Sequence, residues 1–261
     1  MVVLHATDPA TVYLSVLARC SGARVGDVAT VMYDDHALVR LMAMRRTLFV
    51  APRELVPVVH AAAALDVAAT MRKRLLKELA TLPTEPPVPT GAAELGAWLR
   101  DVEDEVEEAL GRLGVASGAQ LGAAVPRLRT ALLPTTAKKY DVRRAITSSV
   151  LVLMGAEGRL VRRQPLGSWS SRQHTWELGR VVWPGGLPEV DRAEARAELV
   201  AAYLSRFGPA SEADVAWWTG WSLRDTRAAI TACGAVTLDG LRWAADDLPT
   251  EDEATAPREV A

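Results

Sequence analysis

The densest set of side chains able to grip a ligand lies between residues 127 and 180. Eleven cations gather there (Arg127, Arg129, Lys138, Lys139, Arg143, Arg144, Arg159, Arg162, Arg163, Arg172 and Arg180) against three acids, Asp141, Glu157 and Glu177. At that density guanidinium and ammonium groups neutralise phosphates and release their counterions, the sequence-independent part of nucleic-acid binding. Trp169 sits in the same stretch, in a turn with Gly167 and three serines, where an exposed ring can contact DNA. Clustering on one stretch favours this reading over a solvated surface with scattered arginines.

Other chemistries find less support. Asp34, Asp35 and His36 are adjacent, so they cannot all face one point on a helix; a helix start explains them better than a metal site. No glycine-rich phosphate loop, HExxH or GxSxG is present, and no metal ion or cofactor is expected. Cys20 and Cys233 are far apart, which argues against a disulfide framework and fits a reducing cytosol. The apolar stretches are short or broken, as by Asp66, so no membrane span is expected. A cytoplasmic, nucleoid-associated protein fits these features.

The net charge is −2, which hides a dipolar distribution. Asp101, Glu103, Asp104, Glu105, Glu107 and Glu108 crowd one helix, read as a solvated face. Arginine outnumbers lysine 26 to 4, a bias of the kind a GC-rich genome imposes.

The elements that must position these residues repeat one order. Near the C-terminus, residues 191–207 read as a helix with Leu199, Tyr203 and Phe207 on one face. Ser211 with Asp214, and Ser222 with Asp225, start two more helices; the first buries Val215 and Trp218, the second Leu223, Thr226, Ile230 and Cys233. Val236–Leu238 and Leu241–Trp243 then flank Asp239-Gly240, a strong hairpin signal because both turn residues need positive φ. Three helices and a hairpin form a winged helix. The same order recurs upstream: a helix over 95–113, a short one from Ser117 to Val125, a helix capped by Asp141 that buries Val142, Ile146 and Val150, and strands 159–163 and 174–178 around a long wing tip. On this reading Arg143, Arg144, Arg159, Arg162, Arg163 and Arg172 fall on a recognition-helix start and its wing.

A third, incomplete copy is expected at the start. Asp8-Pro9 opens a helix, residues 25–44 read as helical with breaks, 46–50 as a strand and 53–79 as mostly helical. The expected architecture is mainly α with small β-hairpins, in tandem winged-helix units over 1–82, 83–190 and 191–248. Residues 81–90 serve as a linker, 184–188 as a shorter joint, and 249–261 as a disordered acidic tail.

Three stretches, His5 to Pro9, Met44 to Leu48, and Gly158 to Arg162 with Gly167, Trp169 and Trp176, together resemble the tandem winged-helix DNA glycosylase family typified by AlkZ and YcaQ. His5-Ala6-Thr7-Asp8-Pro9 is similar to that family's catalytic Q-x-Q or Q-x-D segment. Met44-Arg45-Arg46-Thr47-Leu48 resembles its M-R-G-T-L segment, and Gly158-Arg159-Leu160-Val161-Arg162 with Gly167, Trp169 and Trp176 its second wing. The resemblance implies basic winged-helix units that hold damaged double-stranded DNA while the N-glycosidic bond of an alkylated base is cut. It implies that His5 and Thr7 stand where the family has its two catalytic polar residues: a histidine can hold or deprotonate a water, and a threonine can hydrogen-bond it. It also implies a first unit lacking its N-terminal helical segment and a chain without the family's C-terminal β-barrel. From composition alone, His5 and Thr7 merely shape the chain before an N-cap. A non-catalytic winged-helix regulator, or a protein-interaction scaffold, is the alternative.

Overall fold

The computed structural model describes residues 2–139 and 141–248. They fall into two compact units, residues 3–189 and the residues from 190 on. Both are mainly helical, with small antiparallel sheets.

The larger unit opens with β1 (Leu4–His5), α1 (Pro9–Leu17), α2 (Val25–Tyr33), β2 (Leu38–Met42) and β3 (Leu48–Pro52). The strands form one sheet in the order β1-β3-β2. Asp8 caps α1 by accepting from the Ala10 amide at 3.0 Å, with Pro9 at the first helical position, as expected. Residues 25–44 are not one interrupted helix. His36 takes φ 52°, which breaks the helical path, and the apolar run behind it becomes β2, with Val39, Arg40 and Leu41 all buried.

A continuous helical run follows: α3 (Val56–Val59), a π turn at His60–Ala64 and α4 (Leu65–Thr81). Asp66 does not break it. By length and composition alone the run could cross a membrane, yet half of its apolar window is buried inside the protein, including all of Ala61–Ala64. Further along, α4 buries Ala68, Leu75 and Leu79 against the core.

Next come β4 (Thr84–Glu85), α5 (Ala92–Leu113), β5 (Ala116–Ser117), α6 (Gly118–Ala124), β6 (Ala131–Leu132), β7 (Arg144–Ala145), α7 (Thr147–Ala156), β8 (Leu160–Pro165), β9 (His174–Leu178) and α8 (Gly179–Val182). Two three-stranded sheets result, ordered β4-β6-β7 and β5-β9-β8. A single apolar core joins Leu75 and Leu79 of α4, Leu99 and Val102 of α5, Val150 and Leu153 of α7, and Trp176 of β9. That core runs across the boundary expected at 82/83. The proline-rich stretch is tied in by β4, whose Thr84 and Glu85 pair with Leu132 and Ala131.

Two local signals in this half had different outcomes. Ser117 and Gln120 form a complete capping box on α6, the Ser117 hydroxyl accepting from the Gln120 amide at 3.3 Å. Ser117→Ala should therefore lower stability by about 1 kcal/mol in a urea titration. Asp141, by contrast, does not cap α7, which begins six residues later at Thr147. Its Oδ2 instead accepts from the amides of Thr135 and Thr136 at 2.9 and 2.7 Å and folds the preceding loop. Val142, expected to be buried, is 57 % exposed, while Arg144 lies on β7 rather than on a helix.

The smaller unit contains α9 (Arg192–Phe207), α10 (Glu212–Thr219), α11 (Leu223–Ala232), β10 (Val236–Leu238) and β11 (Leu241–Trp243). Asp191 caps α9, Ser211 and Asp214 make a capping box on α10, and Ser222 caps α11. The hairpin turns through Asp239 and Gly240 at φ 51° and 78°. Val200, Leu204, Val215 and Ile230 form the core. Leu223 and Phe207, expected on buried faces, stand at the exposed ends of their helices. The acidic stretch 249–261 lies outside the described residues.

Candidate functional site

β1 is a two-residue edge strand, and its partner β3 sets what it shows to solvent. Leu4 pairs with Val50 and His5 with Phe49. Ala6 is fully buried, so by the alternation of a strand His5 and Thr7 both emerge on the opposite, exposed side. Their polar atoms meet: His5 Nε2 and Thr7 Oγ1 lie 3.2 Å apart. The Thr7 hydroxyl oxygen also accepts from the Leu48 amide at 3.4 Å, and the His5 ring stands edge-on to Phe49 at 5.6 Å. The structure thus brings the two sequence-predicted residues together, outside the packed core.

Their backbone is held from behind by Arg40, which the sequence reading missed. Arg40 is 6 % exposed and donates to the carbonyl of Ala6 at 2.5 Å and of Thr7 at 3.4 Å. Burial lowers its pKa, opposed by the nearby Tyr33 and Asp8. The available signal was a lone cation inside the apolar run Leu38–Met42.

A second group of polar side chains lines β8 and β9. The Arg162 guanidinium lies over the Trp176 ring, 4.6 Å from its centroid, and its Nη1 donates to His174 Nε2 at 2.5 Å. The same Nη1 lies 3.1 Å from His174 Nδ1, which is also 3.3 Å from the Arg172 carbonyl. Burial, then the Arg40 charge, pulls Arg162 down to about 9; it stays charged at neutral pH. Burial and then Arg162 pull His174 down to about 4. These residues form one wall of an open cleft of about 500 Å³, with Ser117, Thr147 and Arg172 around it.

The histidine shift has a definite sign. His174 is neutral in the folded protein down to about pH 4, whereas the unfolded chain takes up the proton near pH 6.5. Its contribution should be constant above that value and fall as pH drops towards 4, by at most about 1.4 kcal/mol per unit. Stability measured at pH 7, 6, 5 and 4 should show a difference between wild type and His174→Asn that closes on acidification.

The remaining cations divide. Arg159 is saturated by α5: its guanidinium meets Glu103 at 2.7 Å, Glu107 at 2.5 Å and Asp104 at 3.1 Å. Glu103 is fully buried and also takes Arg72 at 2.9 Å, and Glu105 takes Arg127 at 2.7 Å. Glu103, Glu105 and Glu107 thus hold basic side chains, which removes Arg159 from the DNA-facing set, whereas Asp101, Asp104 and Glu108 stay exposed, so only half of the acidic helix is the solvated face expected of it. Arg163 packs between buried Glu177 and His36, 3.4 and 3.3 Å away, and so is committed inside the unit. Arg143 is exposed and pairs with Glu85 at 3.0 Å; Arg144 pairs with Glu78 at 3.0 Å. Lys138, Lys139 and Arg172 are exposed. Trp169 is 36 % exposed and tilts onto Tyr13 of α1 at 5.2 Å, so the tip of the β8–β9 hairpin rests on the first helix rather than on Trp176. Among the described residues no group of three His, Cys, Asp or Glu side chains could hold a metal.

In the smaller unit, Arg227 is paired with Glu212 at 2.8 Å, and Arg196 lies over the Trp221 ring. Trp218 stacks on Tyr203 at 4.7 Å, which accounts for its half-burial.

Comparison with known proteins points one way. A family model described as DNA glycosylase AlkZ-like matches residues 1–261. Among solved structures, the DNA glycosylase AlkZ of Streptomyces sahachiroi superposes with a TM-score of 0.55 at 19 % identity over 92 % of this chain. This chain spans 60 % of the length of that one. None of the curated proteins matches.

Proposed function

The chain belongs to the AlkZ-like DNA glycosylase family, and from that premise we propose that it binds duplex DNA and hydrolyses the N-glycosidic bond of an alkylated base. The carrying observation is the pairing of His5 Nε2 with Thr7 Oγ1, 3.2 Å apart on an exposed strand edge. Such a pair can hold one water between an imidazole nitrogen and a hydroxyl. The water oxygen attacks C1′ of the damaged nucleotide, its proton passes to the imidazole, and the glycosidic electron pair leaves with the base. An alkylated purine starts cationic and departs neutral, so it needs no acid, and a weak base suffices. Arg40 is a positioning residue here, since it fixes the Ala6 and Thr7 carbonyls from the buried side.

We read the smaller unit, with three helices and a β-hairpin, as a winged helix, and α5, α6, α7 with β8 and β9 as another. Lys138, Lys139, Arg143, Arg144 and Arg172 are the exposed cations that face phosphates on this reading. Trp169, Arg159 and Arg163 have a structural role instead. The cleft beside Trp176, walled by an indole, a guanidinium and hydroxyls, has the composition to receive a displaced base.

The test uses randomly alkylated duplex DNA, with alkali-labile abasic sites as the readout. Release by wild type that is lost in His5→Ala supports the reading. Absence of release together with tight, salt-sensitive binding to one sequence would make the protein a non-catalytic regulator.

A further inference from the structure

We propose that the cleft between the β2–β3 turn, α4 and α7 is a binding site for one backbone phosphodiester of the DNA, held by Arg46, Arg74 and Arg144. The inference rests on the DNA-binding reading above and adds to it a site with a defined stoichiometry: three guanidiniums acting on one phosphate, close to the His5–Thr7 pair.

Three elements bring these cations to one cleft of about 280 Å³, together with Glu78, Ser148 and Ser149. Arg46 comes from the tight turn Met44–Arg46, closed by the bonds from the Ala43 amide to the Thr47 carbonyl and from the Thr47 amide to the Met44 carbonyl, at 3.0 and 3.1 Å. Arg45 and Arg46 both adopt positive φ, 53° and 58°, a conformation glycine would take without a steric penalty. Arginine there gives up local backbone stability and places a long cation at the cleft. Arg74 of α4 and Arg144 of β7 share the Glu78 carboxylate at 2.9 and 3.0 Å. Burial raises the Glu78 pKa, but the two guanidiniums outweigh it and hold the group below the usual carboxylate range. Glu78 therefore stays ionised and fixes both arginines in place while neutralising only one of the three charges. A surplus of two positive charges remains, with two hydroxyl donors beside it.

The chemistry selects a tetrahedral oxyanion. Guanidinium forks donate two parallel N–H bonds to phosphate oxygens, and serine hydroxyls donate to the others. Position selects DNA as its source. Arg46 lies two residues before Leu48, whose amide donates to Thr7. Two residues of chain span at most about 7 Å, which keeps the backbone of Arg46 close to the chain that contacts Thr7, so on this reading the phosphate flanks the nucleotide presented to His5 and Thr7.

The test is duplex affinity against salt concentration for wild type, Arg46→Gly, Arg144→Gln and the double variant, with Arg112→Gln as a control on the far end of α5. Arg46→Gly removes the cation while relieving its backbone, so its melting temperature should equal or exceed that of wild type. Each single cleft variant should bind several-fold more weakly at low salt but keep most of the slope of log affinity against log salt, because one net positive charge still faces the phosphate. The double variant, with no net charge left in the cleft, should lower that slope by about 0.9. A wild-type slope in the double variant would overturn the phosphate site and leave DNA binding standing. A slope that falls by about 0.9 in each single variant and by twice as much in the double variant would overturn the shared phosphate. Inorganic phosphate that binds the wild-type cleft while leaving duplex affinity unchanged at equal ionic strength would reassign the cleft to a free anion. Absence of duplex binding by wild type even at low salt would sink the DNA-binding reading and this inference with it.

Discussion

Base release from alkylated duplex DNA should fall by about 10²- to 10⁴-fold in His5→Ala, with duplex affinity unchanged. The side chain is exposed and meets Thr7 and the edge of Phe49, so its loss should leave the fold intact. A drop confined to kcat separates a group acting on the attacking water from one that merely anchors DNA. Thr7→Ala should cost less, because the hydroxyl only orients the water, although it also frees the Leu48 amide. His5→Gln restores a polar atom that can hold water but cannot take its proton. If His5 acts as base, this variant should recover only part of the loss; if it only positions water, release should approach wild type. Undiminished release by His5→Ala would remove His5 from the mechanism.

Trp176→Ala should destabilise the larger unit by about 3–5 kcal/mol, read as a shift of its urea midpoint. The indole is 3 % exposed and belongs to the core shared by α4, α5 and α7. It is opposite Ala116 on one side and Arg162 on the other, so it sits in the middle strand of its sheet. Gly155 of α7 fits against it: a Cβ at that position would come within 2.9 Å of the ring. Truncation removes a side chain packed against a helix, the cation–π partner of Arg162 and the ring edge that flanks His174. A small loss would mean that neighbouring side chains collapse into the space.

The two effects fall on different links of the same chain. Trp176 orders β8, β9 and α7, and these present the cleft with Arg162 and Thr147. His5 and Thr7 depend on a different sheet and on Arg40 beneath it. A Trp176 variant should therefore lose DNA affinity and stability together, whereas a His5 variant should lose turnover alone.

The elements legible in the sequence are those decided by contacts a few residues apart. Asp8-Pro9, Ser117, Ser211 with Asp214, and Asp239-Gly240 each satisfy or bend the backbone within four residues, and the structure has a cap or turn at every one. The adjacency of His5 and Thr7 is of the same kind, because strand alternation places residues two apart on one side. Asp141 shows where such logic stops. It has the composition of a cap, but β6–β7 pairing takes up the following residues, and the carboxylate finds amides behind it instead.

What the tertiary structure alone decided is which charges are still available. The sequence determined that cations crowd residues 127–180 and acids crowd 101–108. It could not tell that Arg159 and Arg127 are spent on those acids, or that Arg163 is spent on Glu177. Nor could it place Arg46, Arg74 and Arg144 around one cleft from positions separated by 28 and 70 residues. Charge pairing acts through distance in space, and chain folding sets that distance independently of sequence spacing. A short polar motif survives translation from sequence to structure; an electrostatic surface has to be read after the core has closed.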